Sequence, residues 1–149
     1  MVSIGRGAPC ASKRLEPDRR RHVLLIEDDD EMRKMLAFVL TRHGFRVSEA
    51  RNGSEGLERL ADLMLGGHRD EVPQLLLTDN RMPGVCGLDV IEAVQASRLR
   101  IPAILITAFG DVETYDRAHA LGATPVLDKP FALADLLAIV ERVASRVGC

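Results

Sequence analysis

Four short stretches of this chain carry side chains able to bind a metal ion or attack phosphorus. They are the acidic run Glu27-Asp28-Asp29-Asp30, the carboxylate Asp79, the hydroxyl of Thr107, and Asp128-Lys129-Pro130. Carboxylates that converge repel one another, and without compensation one of them is protonated near neutral pH. A hard divalent cation removes that repulsion. Mg2+ takes oxygen ligands in octahedral geometry, usually one or two protein carboxylates with waters and a phosphate, which Asp28, Asp79 and a neighbouring carbonyl would satisfy. Asp79 would then be a nucleophile toward phosphorus, forming an acyl phosphate while the cation and Lys129 offset the charge. Thr107 would hydrogen-bond a phosphoryl oxygen.

This chemistry requires elements that bring the four stretches together. From Val23 onward, short apolar runs alternate with longer amphipathic segments, the pattern of repeated β-α units and a parallel sheet. The predicted strands are Val23–Glu27, Arg46–Glu49, Leu75–Asp79, Ala103–Thr107 and Pro125–Asp128. Several are apolar throughout, as expected of strands covered by helices on both faces. The fold class is therefore α/β, a doubly wound five-stranded parallel sheet flanked by five helices.

The first helix is expected to follow the carboxylates Asp29, Asp30 and Glu31, to carry a stripe of Met32, Met35, Leu36, Val39 and Leu40, and to stop near Gly44. Further helices are expected over Ser54–Leu65, Leu88–Ala96, Val112–Leu121 and Leu133–Val147, with ends marked by Gly66-Gly67, Gly122 and Gly148. Right-handed crossovers put every strand's carboxyl end on one edge of such a sheet, and ligands bind there. All four polar stretches fall at those ends.

The strings Leu24-Leu25-Ile26-Glu27-Asp28-Asp29, Leu77-Thr78-Asp79-Asn80-Arg81-Met82-Pro83-Gly84, Ile106-Thr107-Ala108 and Asp128-Lys129-Pro130-Phe131 resemble the receiver domains of bacterial two-component response regulators. They occur in the family's order and close to its spacing, over about residues 21 to 147. The resemblance implies the flavodoxin-like receiver fold, Asp79 as phosphoacceptor, Mg2+ held by Glu27, Asp28, Asp79 and the backbone carbonyl of Arg81, and Thr107 and Lys129 as switch hydroxyl and phosphate-binding amine. It also implies a cis Lys129–Pro130 bond. The implied donor is a histidine kinase or histidine phosphotransfer protein. The implied output is a downstream protein partner reached through the last two helices and last strand, with a homodimer as a further option. Such a domain is not an enzyme beyond its own phosphorylation and dephosphorylation.

Some features depart from the family. Val126 stands three positions before the lysine, where an aromatic residue is common, and an aliphatic side chain cannot perform that ring's rotation. Pro125 suits an edge strand or a strand start. The stretch Leu65–Gln74 is longer than the family's and reads as an exposed loop away from the active edge. Phe109 is expected near the mouth of the cleft as a shield for the acyl phosphate, Asp29 and Asp30 as exposed residues entering the first helix, and Cys86 as an inert loop thiol.

Composition bounds the rest. Twenty basic against 22 acidic side chains give a net charge of −2, which supplies no broad basic field for nucleic acid. No apolar run approaches the ~20 residues that cross a bilayer. Residues 1–20 read as a flexible tail without the apolar centre of a secretory leader, so a cytoplasmic location is expected, with residues 21–149 as the receiver domain. Three widely spaced cysteines suggest neither a disulfide framework nor a zinc site. The chain ends about a turn after the last helix pattern, so no second folded domain is expected. Two alternatives stand beside the switch: a phosphorelay intermediate or adaptor that passes the phosphoryl group on, and a small phosphatase-type hydrolase suggested by Asp28-x-Asp30.

Overall fold

Short apolar runs become strands and amphipathic segments become helices in the structure, a computed structural model that describes residues 21–67, 71–97, 99–108, 112–123 and 125–147. Among them, strands β1 (His22–Ile26), β2 (Arg46–Ala50), β3 (Leu75–Asp79), β4 (Ala103–Ala108) and β5 (Val126–Lys129) alternate with helices α1 (Asp30–Arg42), α2 (Gly53–Leu65), α3 (Gly87–Ala96), α4 (Val112–Ala120) and α5 (Leu133–Val147). The five strands pair in parallel in the order β2-β1-β3-β4-β5, so β5 is an edge, as Pro125 predicts.

Hydrophobicity sorts the strands. β1 and β3 are buried along their whole length and β4 over all but its last residue, whereas β2 and β5, which mix polar with apolar residues, are largely half-buried at the margins. Successive side chains point to opposite faces of a strand. Val23, Leu25, Leu75, Leu77, Ile104 and Ile106 pack with α1 and α5 on one face. Leu24, Ile26, Leu76 and Leu105 pack with α2, α3 and α4 on the other. This is the expected double winding, and each fully buried leucine in it contributes roughly 2 kcal/mol.

Several boundaries move by one residue. β1 starts at His22 and ends at Ile26; Glu27 leaves the strand, although its N–H still donates to the Ala50 carbonyl at 3.1 Å. β5 begins at Val126 because Pro125 has no N–H for a ladder bond. β2 and β4 run one residue further than predicted, to Ala50 and Ala108; α2 and α3 begin one earlier, at Gly53 and Gly87, and α4 stops at Ala120.

The buried stripe of α1 is also rotated from the expected one. Arg33, Leu36, Ala37 and Leu40 face the core, while Met32 and Val39 are half-buried and Met35 is 40% exposed. Small Ala37 lets the helix approach the sheet, and the Arg33 guanidinium finds partners there.

The Gln74 N–H donates to the His22 carbonyl at 2.8 Å, which puts the end of the 65–74 stretch at the amino edge of the sheet, opposite the acidic residues. Leu65 is the last residue of α2, and Gly66, Gly67, Glu71 and Gln74 are exposed while Pro73 is buried. The expectations for residues 1–20, His68-Arg69-Asp70, Phe109, Gly148 and the cysteines at 10 and 149 fall outside the described residues. Among the described residues no helix is long and apolar enough to cross a membrane.

Candidate functional site

β1 and β3 are neighbours in register, Ile26 opposite Thr78, so the residues that end them lie side by side. One carboxylate oxygen from each of Glu27, Asp28 and Asp79 lies within 4.8 Å of the other two. Glu27 is 1% exposed and Asp79 5%, while Asp28 faces solvent. Lys129, the last residue of β5, reaches across the edge and places Nζ 3.3 Å from Glu27 Oε1 and 3.5 Å from Asp79 Oδ1. The Lys129–Pro130 bond is cis, as the family resemblance implies.

Thr107 is buried near the carboxyl end of β4, the strand between Asp79 and Lys129, with Ile106 opposite Asp79 and Asp128 opposite Thr107. Arg81 is exposed, two residues beyond Asp79 in the β3–α3 loop. Asp29 and Asp30 enter α1 as exposed residues, with Asp29 at the N-cap position. Cys86, the other loop residue singled out by sequence, is a half-buried free thiol at the α3 N-cap.

Burial governs the protonation of the cluster. It pushes the Glu27 carboxyl up from 4.5 to about 7, with the Asp79 charge adding to the rise and the Asp29 N–H and Lys129 opposing it. Burial likewise raises Asp79, against the pull of Lys129. For Lys129 burial works against the charge, but Asp79 and Glu27 outweigh it and raise the ammonium's pKa. Without a further cation, the site holds more negative charge than one lysine balances. Its donors are all hard carboxylate oxygens close enough for one ion to bridge, a set that fits Mg2+ and not a thiolate-seeking metal.

Sequence reasoning did not single out some residues that shape this edge. Arg33 donates from one guanidinium nitrogen to the Glu27 carbonyl at 3.0 Å and from another to Asp30 Oδ1 at 2.7 Å, and its Nε lies 3.3 Å from Glu49 Oε1. Its signals in the sequence are its place in a 33, 36, 37, 40 stripe and its three-residue spacing from Asp30. Asn80 accepts the Leu88 N–H through its side chain at 3.2 Å and the Gly87 N–H through its carbonyl at 3.0 Å, anchoring α3 directly behind Asp79. Gly87 has no alternative here, because a Cβ would collide with the Asp79 carbonyl oxygen. Tyr115 of α4 donates its hydroxyl to Asp128 of β5, which raises the tyrosine's pKa. Of these pairings only Asp30–Arg33 is local in sequence, an i,i+3 ion pair on one helix; the others depend on how separate elements pack.

An α/β fold with an acidic pocket at the carboxyl edge of its sheet defines a class, and the comparisons agree with it. Residues 23–141 match the model of the response regulator receiver domain, and the chain belongs to that family. It is 34% identical over 120 residues to the regulatory protein AtoC of Escherichia coli K12, covering 80% of this chain and 24% of that one. It is 35% identical over 127 residues to the transcriptional regulatory protein PdtaR of Mycobacterium tuberculosis, covering 85% of this chain and 58% of that one. The chain thus spans only part of the curated relatives it matches.

Among solved structures, it is similar to FixJ-N with a TM-score of 0.72 and 30% identity, covering 85% of this chain and 95% of that one. The non-phosphorylated HemR receiver domain from Leptospira biflexa gives a TM-score of 0.73 at 30% identity, covering 85% and 95%. A CheY-like receiver domain from Methanospirillum hungatei, 22% identical, shares the fold with a TM-score of 0.77 over 87% of this chain and 97% of that one. The named relatives are regulators, which does not favour the relay-only or hydrolase alternatives.

Proposed function

We propose that Asp79 accepts a phosphoryl group from a phosphohistidine, and that the phosphorylated domain switches its protein partners. The observation that carries this reading is the meeting of Glu27, Asp28, Asp79 and Lys129 at one edge of the sheet. Glu27, Asp28, Asp79 and the Arg81 carbonyl would hold Mg2+. Bound there, the ion supplies Lewis-acid charge neutralisation for the phosphoryl oxygens.

In the transfer, an Asp79 carboxylate oxygen attacks phosphorus and forms the P–O bond. The P–N bond to the donor's imidazole breaks, and the leaving nitrogen keeps the electron pair and takes up a proton. Lys129, already seated between Glu27 and Asp79, is the ammonium that turns toward a phosphoryl oxygen as charge moves outward. Thr107 supplies a hydroxyl to another oxygen from the neighbouring strand. The domain catalyses only its own gain and loss of phosphate.

The donor is a histidine kinase or histidine phosphotransfer protein, in the cytoplasm. The readout face is α4, β5 and α5, where the Tyr115–Asp128 bond ties helix to strand and half-buried Val126 occupies the position at which the family commonly has a ring. With no ring to rotate, displacement of α4 carries the switch.

The test is transfer of radiolabelled phosphate from a phosphorylated histidine kinase, with Mg2+ present. Wild type is expected to take up base-labile label and Asp79→Asn none. Undiminished label on Asp79→Asn would move the acceptor elsewhere and sink the reading.

A further inference from the structure

Arg33 is the one buried guanidinium among the described residues, 6% exposed on the core face of α1. Burying a guanidinium is costly unless its donors are met. Here they are met by groups from three elements: the Glu27 carbonyl just past β1 at 3.0 Å, Asp30 in the first turn of α1 at 2.7 Å, and Glu49 of β2 at 3.3 Å.

Glu27 is thereby held at every polar atom. Its N–H donates to the Ala50 carbonyl at 3.1 Å, its carbonyl accepts from Arg33, one carboxylate oxygen accepts the Asp29 N–H at 3.2 Å, and the other lies 3.3 Å from Lys129. The peptide that Arg33 grips joins Glu27 to Asp28, so its orientation sets where both carboxylates stand. Among the described residues no hydrogen bond or ion pair ties the exposed Asp28 side chain to another element.

We propose that Arg33 is a positioning residue for the divalent-cation site, fixing the Glu27–Asp28 peptide so that the two carboxylates meet Asp79. The inference rests on the reading of that cluster as a Mg2+ site. An electrostatic role predicts the opposite result from a positional one. Asp30 and Glu49 balance the guanidinium, so removing it leaves them uncompensated, adds net negative charge beside the cluster and would draw Mg2+ more tightly. Loss of the carbonyl's anchor would instead loosen the site and weaken binding.

Calorimetric titration of Mg2+ into the full chain, well below the unfolding temperature, separates the two. Arg33→Met is expected to weaken Mg2+ binding about tenfold, the scale on which groups that orient metal ligands act. Arg33→Lys, which keeps a long donor, should recover most of that loss. If Arg33→Met does not fold, Arg33→Gln carries the same expectation, because it removes the charge and falls short of the carbonyl. Unchanged or tighter Mg2+ binding in the charge-removing variant overturns the positional role, whatever its unfolding temperature. Absence of Mg2+ binding by the wild type, or binding undiminished in Asp28→Asn, overturns the reading of the cluster itself and the inference with it.

Discussion

Glu27 lies at the point where metal binding, protonation and stability meet. Its carboxyl is raised to about 7 in the folded, metal-free protein from an ordinary 4.5, first by burial and then by the charge on Asp79. For an acid raised on folding, the folded state binds the proton more tightly. Its stabilising effect is therefore complete below about pH 4.5 and is lost as pH rises through about 7. At pH 8 the group must be buried as a carboxylate, at a cost on the order of 3 kcal/mol by the linkage relation. Glu27→Gln has no proton to lose. In chelator, the difference in unfolding free energy between this variant and wild type should grow in the variant's favour from pH 5.5 to pH 8, by about 1–3 kcal/mol. A difference that stays flat across that range would show that Glu27 is not the group under strain.

At the scale of elements, the approach of α3 to β3 fixes the back wall of the site. Gly87 opens α3 against the Asp79 carbonyl and the Asn80 Cα, both of them backbone and unable to swing aside. Gly87→Ala should displace the first turn of α3, cost about 1–3 kcal/mol as overpacking does, and lower phosphate uptake by Asp79. Gly44→Ala is the control: φ is +90° there with open space around it, so the cost is about 1–2 kcal/mol of left-handed backbone with no effect on the site. Equal losses of phosphate uptake in the two variants would mean that stability alone is being read. The same contrast shows what a sequence displays. Asp79 is legible because it ends an apolar run, and β5 because Pro125 suits a strand start. The Gly87–Asp79 approach depends on the packing of a helix against a strand eight residues earlier, which no local pattern encodes. Arg33 is hidden differently: charge excludes it from an apolar stripe by type, although its spacing from Leu36, Ala37 and Leu40 is that of a core residue.

At the scale of the whole molecule, the cation site exists only when the sheet is assembled. Glu27 and Asp28 follow β1, Asp79 ends β3 and Lys129 ends the edge strand β5, so the unfolded chain brings none of these three groups together. A ligand that binds only the folded state stabilises it by RT ln(1 + [L]/Kd), about 2.7 kcal/mol at a hundredfold excess over Kd. For a domain of this size that corresponds to a rise in Tm of roughly 10 °C. The rise should depend on pH in a definite direction. Protons compete with the cation at Glu27, so binding weakens as pH falls through about 7 and the shift caused by Mg2+ should be larger at pH 8 than at pH 5.5. Ca2+ and Mg2+ melts of wild type and Asp28→Asn at both pH values provide the measurement. The variant should lose most of the Mg2+ shift at pH 8, because one of three converging carboxylates is then neutral. A shift of the same size in the variant, or one that does not shrink in acid, would place the stabilising ion somewhere other than the carboxyl edge of the sheet.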